Sequence, residues 1–148
     1  MKITTIGIDL GKNVFHLHGV NERGQVILKK KVSRSKLIET IVNIPCCLIG
    51  LEACSGAHYW AREFTKLGHT VRLMAPQFVK PYVKSNKNDY ADAEAICEAV
   101  TRPTMRFVAI KEVEQQDILS LHRIRERLIK QRTALGNEIR GLLHEYGI

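Results

Sequence analysis

Hydrophobic and polar positions follow two different rhythms along this chain, and the change of rhythm divides it. Residues 3–9 form a short apolar run that predicts a buried strand, and Val14 to Val20 predicts a second after the polar turn Gly11-Lys12-Asn13. Asn21-Glu22-Arg23-Gly24 is a turn signal, so Gln25 to Val32 predicts a third strand and, with the first two, an antiparallel meander. Ser33 or Ser35 can cap a short helix through about Asn43. Residues 46–52 read as a fully apolar fourth strand. Ser55 predicts the N-cap of a helix carrying Tyr59, Trp60, Phe64 and Leu67, with Gly68 as its stop. Thr70 to Ala75 is a fifth strand. Beyond Pro76 come a short basic helix, a polar link at Ser85-Asn86-Lys87-Asn88 and a helix from about Asp89 to Val100. Pro103 interrupts the pattern, and residues 105–110 are compatible with an extended segment.

The order β-β-β-α-β-α-β-α predicts an α/β fold. A right-handed helical crossover lays the fourth strand parallel to a strand of the meander. If that strand is the first, Asp9 and Glu52 end neighbouring strands about 4.8 Å apart. Ligands of open α/β sheets favour those carboxyl ends. Asp89 and Asp92, three residues apart, share one helix face and can lean toward the same point. The expected architecture is a ribonuclease-H-like, mixed five-stranded sheet with flanking helices in residues 1–110, followed by a long C-terminal helix in residues 111–148.

That helix, from Glu112 onward, would span about 54 Å over about 36 residues. Leu121, Leu128, Leu135 and Leu142 repeat every seven residues, but the positions three further on are Ile124, Gln131, Glu138 and Glu145. A half-apolar seam suits packing on the protein itself or on a second helix better than a free-standing coiled coil.

Composition then narrows the partners. The 148 residues carry 23 Lys and Arg against 15 Asp and Glu, a formal charge of +8, with ordinary hydrophobic (45%) and charged (26%) shares. Such a balance favours nucleic acid or an anionic membrane surface. No apolar run approaches the roughly 20 residues needed to span a bilayer, and the N-terminus reads directly into a strand rather than into a signal peptide. The expected setting is the cytoplasm. Cys46, Cys47, Cys54 and Cys97 form no C-x-x-C pair and read as small buried side chains of a reducing compartment.

In an otherwise basic chain, acids gathered from separate elements suggest divalent cations acting on a polyanion. An Asp closing an apolar strand is costly unless paired or metal-bound, so Asp9 is the strongest candidate. Asp89 and Asp92 can equally be read as helix N-terminal charges favoured by the dipole. Mg²⁺ or Mn²⁺ requires hard oxygen ligands, which Asp9, Glu52, Asp89 and Asp92 would supply. Lys12, Lys80, Lys84 and Lys87 in the first region and Arg123, Arg127 and Lys130 on the long helix are candidate phosphate contacts. His16 and His18 share one strand face but lack an evident third ligand, and read as core or surface histidines. Tyr59 and Trp60 read as core.

Three segments narrow the reading further. Glu-Ala-Cys-Ser-Gly-Ala-His-Tyr-Trp from Glu52, Leu-Gly-His-Thr-Val-Arg-Leu-Met-Ala-Pro-Gln-Phe-Val-Lys from Leu67, and Asn-Lys-Asn-Asp-Tyr-Ala-Asp-Ala-Glu-Ala-Ile from Asn86 resemble the DEDD transposases of the IS one-ten insertion-sequence family, in its IS eleven-eleven branch. Gly7-Ile8-Asp9-Leu10-Gly11-Lys12 resembles that family's opening, and Val113-Glu114-Gln115-Gln116-Asp117 with the basic helix its continuation. The resemblance implies a RuvC-like domain whose four acids are Asp9, Glu52, Asp89 and Asp92. It further implies DNA transposition by site-specific recombination directed by a structured guide RNA. A homo-oligomer formed through the long helix is also expected. Members also carry a C-terminal domain with a nucleophilic serine; no serine here matches it, so the chain reads as the N-terminal domain, inactive in recombination alone.

Three rival readings stand beside this one. A stand-alone RuvC-like Holliday-junction or RNA-processing nuclease would share the carboxylates. An actin-type ATPase would share Ile-Asp-Leu-Gly, but it requires a second phosphate loop that is not found. A non-catalytic nucleic-acid-binding module would use the basic residues alone.

Overall fold

The computed structural model describes residues 2–83 and 88–148, and the chain divides into two compact units, Met1–Ile110 and Lys111–Ile148. The first holds β1 (Thr5–Leu10), β2 (Val14–Val20), β3 (Val26–Ser33), α1 (Leu37–Val42), β4 (Leu48–Glu52), α2 (Ala57–Lys66), β5 (Thr70–Met74), α3 (Pro76–Val79), α4 (Asp89–Ala99) and β6 (Phe107–Val108). Short 3₁₀ turns at Arg34–Lys36 and Lys80–Tyr82 precede α1 and follow α3. The second unit is α5 (Val113–His144) with its flanking residues.

The sheet has six strands in the order β3-β2-β1-β4-β5-β6. The expected five strands therefore gain a sixth. Phe107 and Val108 pair antiparallel with Met74 and Leu73, a two-residue pairing too short to leave a period in the sequence. β1 to β3 form the antiparallel meander, and β4 lies parallel to both β1 and β5.

Alternation along the strands builds two cores. Ile6, Ile8, Phe15, Leu17, Ile49, Leu51 and Leu73 join Leu37, Ile41, Trp60 and Phe64 in one apolar cluster. Met74, Val79, Ala95, Ile96, Ala99 and Val100 form the second, which includes α4. Each fully buried Ile, Leu or Phe contributes about 1.5–3 kcal/mol of transfer free energy. A disulfide is unnecessary, and all four cysteines are free. Cys47 and Cys97 are buried as expected; Cys46 and Cys54 are exposed, because the loops before β4 and after it leave them outside the cores.

Local signals explain the element ends, with two corrections. The carbonyl oxygen of the Asn21 side chain accepts from the backbone N–H groups of Arg23 and Gln25, both at 2.9 Å, and closes the β2–β3 turn. At the end of α2 the N–H of Gly68 donates to Thr65 and that of His69 to Phe64, a Schellman stop made possible by the φ of 90° at Gly68. Ser55 is not the N-cap of α2. Gly56 takes that place with φ 84°. Neither Ser33 nor Ser35 caps α1 through its side chain; the two hydroxyls contact each other at 3.2 Å. Trp60 is buried, but Tyr59 is 45% exposed, since it leaves the helix face that meets the sheet.

Glycine at two positions sets how closely α4 lies on the sheet. A Cβ on Gly7 would stand 2.2 Å from the Ala93 carbonyl oxygen and 2.4 Å from the Cys97 nitrogen. A Cβ on Gly50 would stand 2.8 Å from that of Val100. The Cys97 thiol reaches the carbonyl of Thr5 at 3.8 Å, so α4 runs antiparallel to β1 and presents its first turn to the carboxyl end of that strand.

Candidate metal centre

Asp9 occupies the same sheet face as Gly7, two residues along β1, where α4 lies over the strand. Asn88 caps α4 by accepting from the Ala91 N–H at 2.8 Å, so Asp89 and Asp92 stand in the helix's first turn. The helix dipole favours acids there, but packing against Gly7 brings them to a third acid. Asp9, Asp89 and Asp92 each offer an oxygen, and these oxygens lie within 4.8 Å of one another.

Glu52 ends β4, the parallel neighbour of β1, one residue past the Ile8–Leu51 pair. It lies outside the trio, and its charge reaches Asp9. Burial, then the charges of Asp92 and Asp89, push the Asp9 carboxyl up to about 6, with His16 pulling down and Glu52 adding upward. The Cys54 thiol is likewise raised by burial, then by Glu52 and Asp9.

Carboxylates this close repel one another unless a proton or cation intervenes. The donor set is hard, anionic and only partly buried, which fits Mg²⁺ or Mn²⁺. The raised Asp9 carboxyl expresses the same demand, since the site prefers a positive charge to bare anions.

Of the expected phosphate contacts, Lys12 is exposed on the β1–β2 turn and Lys80 is exposed after α3. Lys84 and Lys87, with most of the polar link, lie outside the described residues. Arg123, Arg127 and Lys130 are exposed on α5.

His16 is buried, as one of its two sequence readings had it, but the structure also sets it beside the acids. It stands directly opposite Asp9 in the β1–β2 register and is 6% exposed. Lys31 stands opposite His16 on β3, so Asp9, His16 and Lys31 form one row across three strands. Lys29 lies on that same face, its ammonium 5.1 Å from the Tyr90 ring centre. Counting back from the Gly11-Lys12-Asn13 turn pairs Leu10 with Phe15 and hence Asp9 with His16; that count was the available signal.

Comparison with known proteins gives consistent relationships. The family model for DEDD transposases of IS110 elements, described as "Transposase", matches residues 6–148. A probable family 20 transposase of Pseudomonas aeruginosa is 54% identical over 148 residues, covering 100% of this chain and 44% of that protein. The transposase for insertion sequence element IS1111A of Coxiella burnetii is 51% identical over 146 residues, covering 99% of this chain and 40% of that protein. The transposase for element IS1328 of Yersinia enterocolitica is 48% identical over 146 residues, again 99% of this chain and 44% of the relative. This chain thus spans less than half the length of these curated relatives. Among solved structures, T. thermophilus RuvC in complex with a Holliday junction substrate aligns with a TM-score of 0.53 at 14% identity, over 73% of this chain and 100% of that one. That likeness shows a RuvC-like fold.

Proposed function

This chain belongs to the DEDD transposase family, and from that premise we propose that its first unit is the metal-binding, nuclease-like domain of a transposase that recombines DNA site-specifically. One observation carries the reading: Asp9 from a strand and Asp89 and Asp92 from a helix meet at the carboxyl end of β1, with Glu52 on the neighbouring strand. Asp9, Glu52, Asp89 and Asp92 would hold Mg²⁺ or Mn²⁺. When bound, such ions activate an attacking oxygen and stabilise a leaving one in phosphoryl transfer.

The chain's own residues perform the remaining tasks. The α4–β1 packing fixes three acids before any ligand arrives, which lowers the ordering cost of binding. Lys12 and Lys80 would hold phosphates of the nucleic acid, and Lys84 and Lys87 are candidates for the same task by their charge alone. Arg123, Arg127 and Lys130 would do so along α5, for DNA or for a structured guide RNA supplied by the element. The exposed leucine repeat of α5 supports a homo-oligomer formed through this helix. No helix among the described residues is long and apolar enough to cross a membrane.

The test is to incubate the 148-residue chain with branched DNA and Mg²⁺ or Mn²⁺. The reading expects metal-dependent binding without recombination, because these 148 residues cover under half the length of the curated transposases. Efficient cutting of the branched DNA by this chain alone, abolished by Glu52→Gln, would favour a stand-alone junction nuclease instead.

A further inference from the structure

The imidazole of His16 is buried, yet its Nδ1 faces the carboxylates, 4.0 Å from Asp9 Oδ2 and 3.8 Å from Asp89 Oδ2. Both separations are too long for hydrogen bonds. They suit a different relationship. Two ligand atoms sharing one octahedral ion at bonds of about 2.1 Å lie about 3.0 Å apart when adjacent and about 4.2 Å apart when opposite. The His16–Asp9 and His16–Asp89 separations lie between those two values, so His16 is not yet at ligand spacing, and a shift of under about 1 Å on binding would bring its nitrogen onto an ion held by the acids.

The ring is also held in place. His16 sits in the middle of β2, in register with Asp9 on one side and Lys31 on the other. It meets the Tyr90 ring edge-on, with centroids 4.7 Å apart and planes at 73°. Tyr90 follows Asp89 on α4, so the residue that fixes the ring orientation belongs to the same helical turn as two of the acids. His18 shares the strand face but stands opposite Gly7, one step away from the carboxylates.

We propose that His16 is a nitrogen ligand of the cation held by Asp9 and Asp89. The centre then has mixed nitrogen and oxygen character and favours later first-row ions such as Co²⁺ or Zn²⁺ over Mg²⁺, because imidazole suits them; Mn²⁺, the weakest of that series, serves as the paramagnetic probe. This rests on the metal-site reading above, and the experiment separates the two.

Mn²⁺ is added to the intact 148-residue chain, its affinity is measured by titration, and its paramagnetic spin echo is examined for nitrogen coupling. The expected result is a ¹⁴N modulation that converts to the ¹⁵N pattern on labelling histidine and disappears in His16→Gln. The same substitution should weaken Mn²⁺ at least about tenfold, the cost seen when even an outer partner of a ligand is removed, and should weaken Mg²⁺ less. If His16→Gln fails to fold, imidazole ¹⁵N spectra of the unaltered chain during Zn²⁺ addition replace it, with the His16 Nδ1 resonance expected to shift most. Bound Mn²⁺ with no nitrogen coupling, coupling that survives in His16→Gln, or an unmoved His16 Nδ1 would overturn the proposal and leave the carboxylate site standing. Absence of any Mn²⁺ binding would overturn both.

Discussion

The sheet unit and the helix unit of this chain use their apolar residues in opposite ways. In the first, twelve large side chains among the described residues, from Ile6 to Ile96, are fully buried in two cores on either face of one sheet. In the second, no residue of α5 is buried, and Leu121, Leu128, Leu135 and Leu142 are 68%, 54%, 58% and 60% exposed. A sheet covered by helices satisfies its own hydrophobic faces. A single helix of 32 residues, about 48 Å long, has nothing within its unit to cover a stripe. The first unit therefore stores its information in close packing that shapes a site, and the second in an exposed surface of leucines and cations.

Gly7 is where that contrast should break most visibly. Valine there would drive a side chain into the backbone of α4, and we expect a loss of about 3 kcal/mol or more in urea unfolding. Metal binding should be lost with it, since α4 carries two of the acids, while α5 keeps its helicity by circular dichroism. An unchanged unfolding midpoint would mean that α4 does not pack on β1 as described.

A smaller effect is expected from the cations of α5. Replacing Arg123, Arg127 and Lys130 together should flatten the dependence of log affinity on log salt for structured RNA or DNA, by about 0.7–0.9 for each phosphate no longer neutralised. Thermal stability should hardly move. An unchanged slope would take this helix face out of the nucleic-acid path.

The leucines should give the smallest change in stability and the clearest change in assembly. Alanine at Leu121, Leu128 and Leu135 keeps helix propensity and removes no buried side chain from the unit, so unfolding of the sheet unit should shift by less than about 0.5 kcal/mol. Sedimentation should nonetheless report a smaller mass if the stripe joins two copies. An identical mass for both proteins would contradict assembly through α5.

The contrast also explains what was legible in the sequence. Apolar runs ending in Asp9 and Glu52 identified two strands buried on both faces; that they are parallel neighbours was conditional on β4 joining β1, which the sheet order supplies. The i, i+3 spacing of Asp89 and Asp92 was equally plain. What remained hidden depended on partners distant in sequence. The two-residue β6 exists only through its pairing with β5. Gly56 became the α2 cap in place of Ser55 because the turn required a left-handed φ. His16 looked like an isolated histidine until hairpin register set it against Asp9. On α5 the heptad was visible, but an apolar stripe does not specify what covers it.

The central claim, that Asp9 belongs to a cation site shared with Asp89, Asp92 and Glu52, is tested most directly by melting the protein with and without metal across pH. Its carboxyl is raised from 3.8 to about 6, so the folded protein binds this proton more tightly than the unfolded chain does. The associated stability is complete below about pH 3.8 and is lost as pH rises through about 6. At pH 7.5 the metal-free fold should carry a penalty on the order of 2 kcal/mol. Mg²⁺ or Mn²⁺ should then raise the melting temperature of the unaltered protein, whereas Asp9→Asn should raise it without metal and abolish most of the metal increment. At pH 4 both effects should largely vanish. Melting at pH 7.5 that ignores metal, with Asp9→Asn raising it equally in its presence and absence, would contradict the account.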